Sequence, residues 1–191
     1  MVILDDEHFR QNPDDKKTVL AAVLQDGRLL EHASKRLQGD LEVVLAAVKQ
    51  PGRRALQWAA AGCQNNRVVV MASVVHGGLT LQWASDDCKA DHAIVLAALQ
   101  QNGLALEFAA DSCKADRELV LTAIGSRSMA LRWASDELLQ DASFAPEAKQ
   151  QFRLLRVTLL SGRSCCIAMQ DHDPAGAVLA ACRQRLGLQD R

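Results

Sequence analysis

Along residues 40–50, DLEVVLAAVKQ, apolar side chains recur at helical spacing behind an Asp that can cap a helix, and the same pattern returns further down the chain. Asp15, Asp40, Asn66, Asp91, Asp116 and Asp141 follow one another at steps of 25, 26, 25, 25 and 25 residues. Leu30, Leu56, Leu81, Leu106 and Leu131 keep the same step. Two positions after each Leu stands His32, Trp58, Trp83, Phe108 or Trp133, and the next residue is always Ala: Ala33, Ala59, Ala84, Ala109 or Ala134. Four residues beyond that Ala lies Leu37, Cys63, Cys88, Cys113 or Leu138. A slot that takes Leu or Cys interchangeably behaves as a small buried apolar site.

Each copy reads as two short helices. In the second copy the first helix is 40–50, with Asp40 as N-cap, Glu42 in the first turn and Gly52 as the stop. Asp15 with Gly27 and Asp91 with Gly103 repeat this punctuation, while the fifth copy has Ser126 and Arg127 where the Gly is expected. The second helix is RRALQWAAAGC, 53–63. Leu56, Ala59, Ala60 and Cys63 share one face of it, and Ala55 and Trp58 widen the apolar arc to about 200°. An arc that broad suits a helix buried against both its own partner and the next copy. The predicted fold is mainly α: five tandem 25-residue αα repeats in a short α-solenoid or compact helical stack. Small residues at Ala46, Ala47, Ala59, Ala97, Ala98 and Ala109 let the helices approach closely. VILDDEHFRQN, 2–12, is expected to form a helix capping the open end, so that the helical repeat domain spans 1–144.

The stretches DLEVVLAAV (40–48), NGLALEFAA (102–110), DRELVLTAI (116–124) and LRWAS (131–135) resemble a family of tandem helical repeats of unknown function. That family is recognisable by D-x-E-x-V-L-x-A-V, then N-G, then A-L-x-[YW]-A-S. The resemblance spans residues 14–144 and implies a helical repeat without implying an activity. His32 and Asn66 depart from the consensus in the first and third copies.

After Pro146 the pattern changes, and residues 145–191 form a second segment. EAKQQF predicts a linker helix. LLRVTLLSGRSCCIAMQ, 154–170, alternates as two strands joined at Ser161 and Gly162, and DPAGAVLAACRQRLG, 173–187, reads as a helix with Pro174 in its first turn. TLLSGRSCCIAM is similar to the opening hairpin of ubiquitin-like folds, here in truncated ββα form. The likeness implies that Leu155, Val157, Cys165, Ile167, Met169, Val178 and Cys182 face inward. Such a piece makes a poor core alone, so it is expected to dock on the last repeat.

Charge and candidate chemistry narrow the function. Twenty-two basic residues against twenty-three acidic ones leave a net charge of −1, which disfavours a nucleic acid or an anionic membrane as the main partner. No apolar run is long enough to insert into a membrane, and six Cys behind an acidic opening segment read as free thiols in a reducing, cytoplasmic compartment. Disulfides between Cys63, Cys88 and Cys113 are not expected, because neighbouring helices pack about 8–10 Å apart. Vicinal Cys165 and Cys166 alternate to opposite strand faces and match no zinc spacing, and His8, His32, His76, His92 and His172 stand singly, so no metal or cofactor site is expected. What remains is surface. Trp58, Trp83, Phe108 and Trp133 lie in register at the edge of the buried arc, either as wedges between repeats or as an aromatic ladder along a groove. Gln57, Gln82, Glu107 and Arg132 stand one step outside and differ between copies, as partner-reading positions on a repeat scaffold do. These eight residues are the candidate partner-binding set. The chain reads as a non-enzymatic protein-interaction scaffold or small structural subunit; the alternatives are an adaptor in ubiquitin-type signalling and a thiol enzyme using Cys166.

Overall fold

The computed structural model describes residues 12–50, 54–141, 143–144, 153–158 and 164–169. Each repeat begins with its longest helix: Lys16–Val23, Leu41–Val48, Arg67–His76, His92–Gln101 and Arg117–Ser126. The side chains of Asp15, Asp40, Asn66, Asp91 and Asp116 cap them; the Asp40 carboxylate accepts from the Glu42 and Val43 amides at 3.0 and 3.2 Å. The predicted N-caps and first helices therefore stand.

The second helix of each pair does not. Where one continuous helix was expected, the chain makes a six-residue 3-10 helix, two extended residues and a single α turn. The 3-10 helices are Gly27–His32, Gly78–Trp83, Gly103–Phe108 and Ser128–Trp133, and the α turn Ala55–Trp58 replaces one in the second repeat. The closing turns are Lys35–Gln38, Ala61–Gln64, Asp86–Ala90, Asp111–Lys114 and Asp136–Gln140. The expected helix over 53–63 is thus split at Ala59 and Ala60, whose ψ angles are 146° and 154°. Two interactions favour the split. Ser34, Ser85 and Ser135 cap the closing turns through their hydroxyls. The amide at this position in all five repeats, Ser or Ala, also bonds back out of its own repeat: Ser34 to Pro13, Ala60 to Gln38, Ser85 to Gln64, Ala110 to Lys89 and Ser135 to Lys114, at 2.8–3.0 Å. These rungs satisfy carbonyls at the ends of the preceding turns, which a helix alone leaves unpaired.

The repeats stack in register, long helix on long helix and 3-10 helix on 3-10 helix. Leu30, Leu56, Leu81 and Leu106 are fully buried, as are Val43, Val69, Ile94 and Leu119 from the long helices. Cys63, Cys88 and Cys113 fill their slot as buried free thiols, and Leu37 and Leu138 occupy it in the end copies. The glycines that open the 3-10 helices are set by close approach. A Cβ at Gly27, Gly78 or Gly103 would lie 2.0–2.2 Å from the carbonyl oxygen of Ala47, Ala98 or Ala123 in the next long helix. In the fifth repeat Ser128 stands there, buried, and the strand Ser164–Met169 lies alongside its 3-10 helix. Phe144 closes the core below it, with the Arg117 guanidinium 5.8 Å from its ring centroid.

Beyond the repeats, β1 (Arg153–Thr158) and β2 (Ser164–Met169) pair antiparallel, Arg153 opposite Met169 and Thr158 opposite Ser164. The expected capping helix at 2–12, the linker helix at 147–152, the turn at Ser161 and Gly162, and the helix at 173–187 lie outside the described residues, as do the side chains of the two strands.

Candidate interaction surface

A 3-10 helix has three residues per turn, so one edge of it repeats every third position. Leu and Ala of the motif point into the core, and the residue between Leu and the aromatic is left outside. Gln57, Gln82, Glu107 and Arg132 are all exposed. Trp58, Trp83, Phe108 and Trp133 are half-buried and pack against the core. Stacking of the 3-10 tier brings all eight predicted residues to one edge. Each ring packs against the core and keeps part of its surface outside it. Two members are held in place: the Gln82 amide donates to the Leu79 carbonyl at 3.1 Å, and the Arg132 guanidinium lies 5.0 Å from the Trp133 ring centroid. Beside Trp83 a recess of about 280 Å³ opens between the third repeat and its neighbours, with Arg54, His76, Gln82 and Gln101 on its wall.

Burial pushes the Cys63 and Cys113 thiols above their ordinary value, and their Sγ atoms donate to the carbonyls of Gly39 and Ala90 at 3.5 and 3.6 Å. A reactive thiol needs the opposite, a lowered value beside a cation. Among the described residues no three His, Cys, Asp or Glu side chains are grouped to hold a metal ion, and no helix is long and apolar enough to cross a membrane.

Two surface features escaped the sequence reading. The first is a row of ion pairs along the N-terminal ends of the long helices. The first residue of one helix reaches the Asp that stands at the cap position one repeat later: Lys16 to Asp40 at 2.8 Å, Arg67 to Asp91, and Arg117 to Asp141 at 3.3 Å, with His92 3.8 Å from Asp116. Lys16 also bonds Glu42 at 2.8 Å. The hydrogen bond from Lys16 holds the Asp40 carboxyl below its usual range. The row is interrupted where the equivalent positions hold Leu41 and Asn66, neither of them charged. Comparing the column Lys16, Leu41, Arg67, His92, Arg117 with the capping column one repeat later contains this signal. The second feature is the outward face of the long helices, where Leu20, Leu45, Met71, Leu96 and Leu121 are half-buried and the first three repeats expose Leu24, Leu41, Val68 and Val75. This face was hidden because its residues look like further core.

A model of the family described as Domain of unknown function (DUF4116) matches the chain three times in tandem, over residues 15–60, 66–114 and 94–139. No curated protein and no solved structure matches. The family matches end before the C-terminal hairpin, and nothing among the comparisons supports the ubiquitin-like resemblance of that segment.

Proposed function

Because the chain belongs to the Domain of unknown function (DUF4116) family, whose description carries no activity, we propose its function from its surface: a non-enzymatic scaffold or small structural subunit that binds another protein along the 3-10 edge. The observation that carries this reading is the aligned row Gln57, Gln82, Glu107 and Arg132, exposed and changing from amide to acid to base along the stack, beside the half-exposed aromatics Trp58, Trp83, Phe108 and Trp133. A rigid core with a variable edge is how repeat proteins divide stability from recognition. Half-buried aromatics are the side chains that anchor protein interfaces at low entropic cost. The near-neutral charge favours a protein over a nucleic acid, and the buried free thiols suit a reducing intracellular compartment. The test is a variant carrying Ala at 57, 82, 107 and 132, which removes the row without touching the core. Proteins retained by the native chain and lost by this variant support the reading; equal retention by both, or no specific protein retained by either, rejects it.

A second reading rests on the antiparallel pairing of β1 and β2. An adaptor in ubiquitin-type signalling would bind its partner through that hairpin. Residues 1–151 alone would then lose the partner, and full binding by residues 1–151 returns the function to the 3-10 edge.

A further inference from the structure

The outward face of the long helices carries residues that the 3-10 edge does not use. The second residue of each long helix and the residue seven beyond it, which is the C-cap in the first two repeats, flank the outward midline: Lys17 and Leu24, Glu42 and Lys49, Val68 and Val75, Ala93 and Gln100, Glu118 and Gly125. Seven residues are close to two helical turns, so the members of each pair lie nearly in line on one face. The midline between them is apolar, Leu20, Leu45, Met71, Leu96 and Leu121, with small residues Ala21, Ala46, Ala72 and Ala97 beside it. Val68 is 64% and Val75 48% exposed, and Leu24 55%, a concentration of bare apolar side chains confined to the first three repeats.

We propose that this face pairs with the same face of a second copy of the chain, long helix against long helix in antiparallel order, about a two-fold axis running along the stack. That operation lays the first member of each pair over a second member in the other copy. Glu42 meets Lys49 of the partner subunit, and Lys49 meets Glu42 of the partner subunit. Val68 and Val75 cover each other in the same reciprocal way, and Leu24 lies under the aliphatic stem of the partner's Lys17. A two-fold contact requires such self-complementarity, residue i against j and j against i. The opposite choice, a two-fold parallel to the helices, reverses the order of the repeats: centred on the second repeat it sets Glu42 against Glu42 and Lys49 against Lys49, which is costly, and centred elsewhere it leaves Glu42 and Lys49 without each other. Glu42 remains 68% exposed while bonded to Lys16, so it is free to take a second cation. The alanines beside the midline allow the two layers to approach closely. This contact leaves the 3-10 edge uncovered, so its failure and the failure of the proposed function are separate results.

The test uses the full chain in sedimentation equilibrium up to about 100 µM, a range that detects weak self-association. The native chain is expected to sediment at twice the chain mass. Glu42→Lys and Lys49→Glu each turn both reciprocal ion pairs into repulsions and should weaken the dimer at least about a hundredfold. Mixing the two variants restores both pairs in a mixed dimer, so an equimolar mixture should regain the dimer mass. Val68→Asp, at an exposed position outside the charge pairs, should also give a monomer with an unchanged circular dichroism spectrum. A native chain that stays monomeric, charge reversals that leave the dimer intact, or a mixture that stays monomeric overturns the proposal.

Discussion

The second and third repeats bury the same columns and differ in almost everything else. Leu56 and Leu81 are both fully buried, Cys63 and Cys88 nearly so, and both repeats bond the one before through Ala60 and Ser85. The third has a 3-10 helix opened by Gly78, a Ser85 cap and an Arg67–Asp91 ion pair. The second has an α turn, an uncapped closing turn at Ala60, and Leu41 and Asn66 at the equivalent of that pair. Burial and the backbone rung are thus shared by both repeats, while caps and charges are adjustments laid on top of them.

The sharpest way to break that comparison is to empty the shared column. Leu56→Ala and Leu81→Ala should each cost about 3–4 kcal/mol, and by nearly the same amount, in urea unfolding. A Leu56 variant losing far less would mean that the second repeat does not carry its share of the core. Glycines should separate the two repeats in sign. Gly78→Ala forces a Cβ to 2.2 Å from the Ala98 carbonyl oxygen and should cost about 2–3 kcal/mol. Gly62→Ala, with nothing within 4 Å of the new carbon, should gain about 0.5 kcal/mol. Exchanging the caps comes next: Ser85→Ala should lose about 1 kcal/mol, and Ala60→Ser should recover a similar amount in the second repeat. Smaller still, Leu41→Lys with Asn66→Asp should install the missing ion pair for a few tenths of a kcal/mol, with the gain fading in high salt.

The weakest effect is read in pH. The depressed Asp40 carboxyl adds stability above its unfolded value near 3.8, and that contribution is lost as pH falls through the lower folded value. Lys16→Met should flatten this acid limb. The Leu41–Asn66 junction has no charge to titrate, so substituting Leu41 by Met should leave the limb unchanged.

These contrasts also mark what the sequence made readable. The columns of Leu, Ala and Cys, the capping Asp residues and the repeat itself follow from local pattern, because each is set by burial or by a bond within three residues. The break at Ala59 and Ala60 does not. The stretch QWAAAGC, 57–63, favours helix through its run of alanines, and what splits it includes a bond from Ala60 to a carbonyl twenty-two residues earlier. The eight candidate residues were placed on one edge by register alone, since any stacking that keeps the period aligns them. The ion-pair row required reading two columns against each other, and the outward face required knowing which leucines the stack leaves uncovered.

One consequence of the inter-repeat rungs concerns how the chain tolerates change in length. An amide that must find a carbonyl twenty-one or twenty-two residues upstream tolerates an extra residue only where the connection can absorb it, and is indifferent to the gain of a whole period. The single extra residue of the 26-residue step falls between Val48 and Leu56, after the second long helix, where the equivalent pair Val74 and Leu81 is seven positions apart. Growth by duplication of entire units is therefore open to this architecture, whereas a one-residue slip inside a closing turn would misalign every address that follows it.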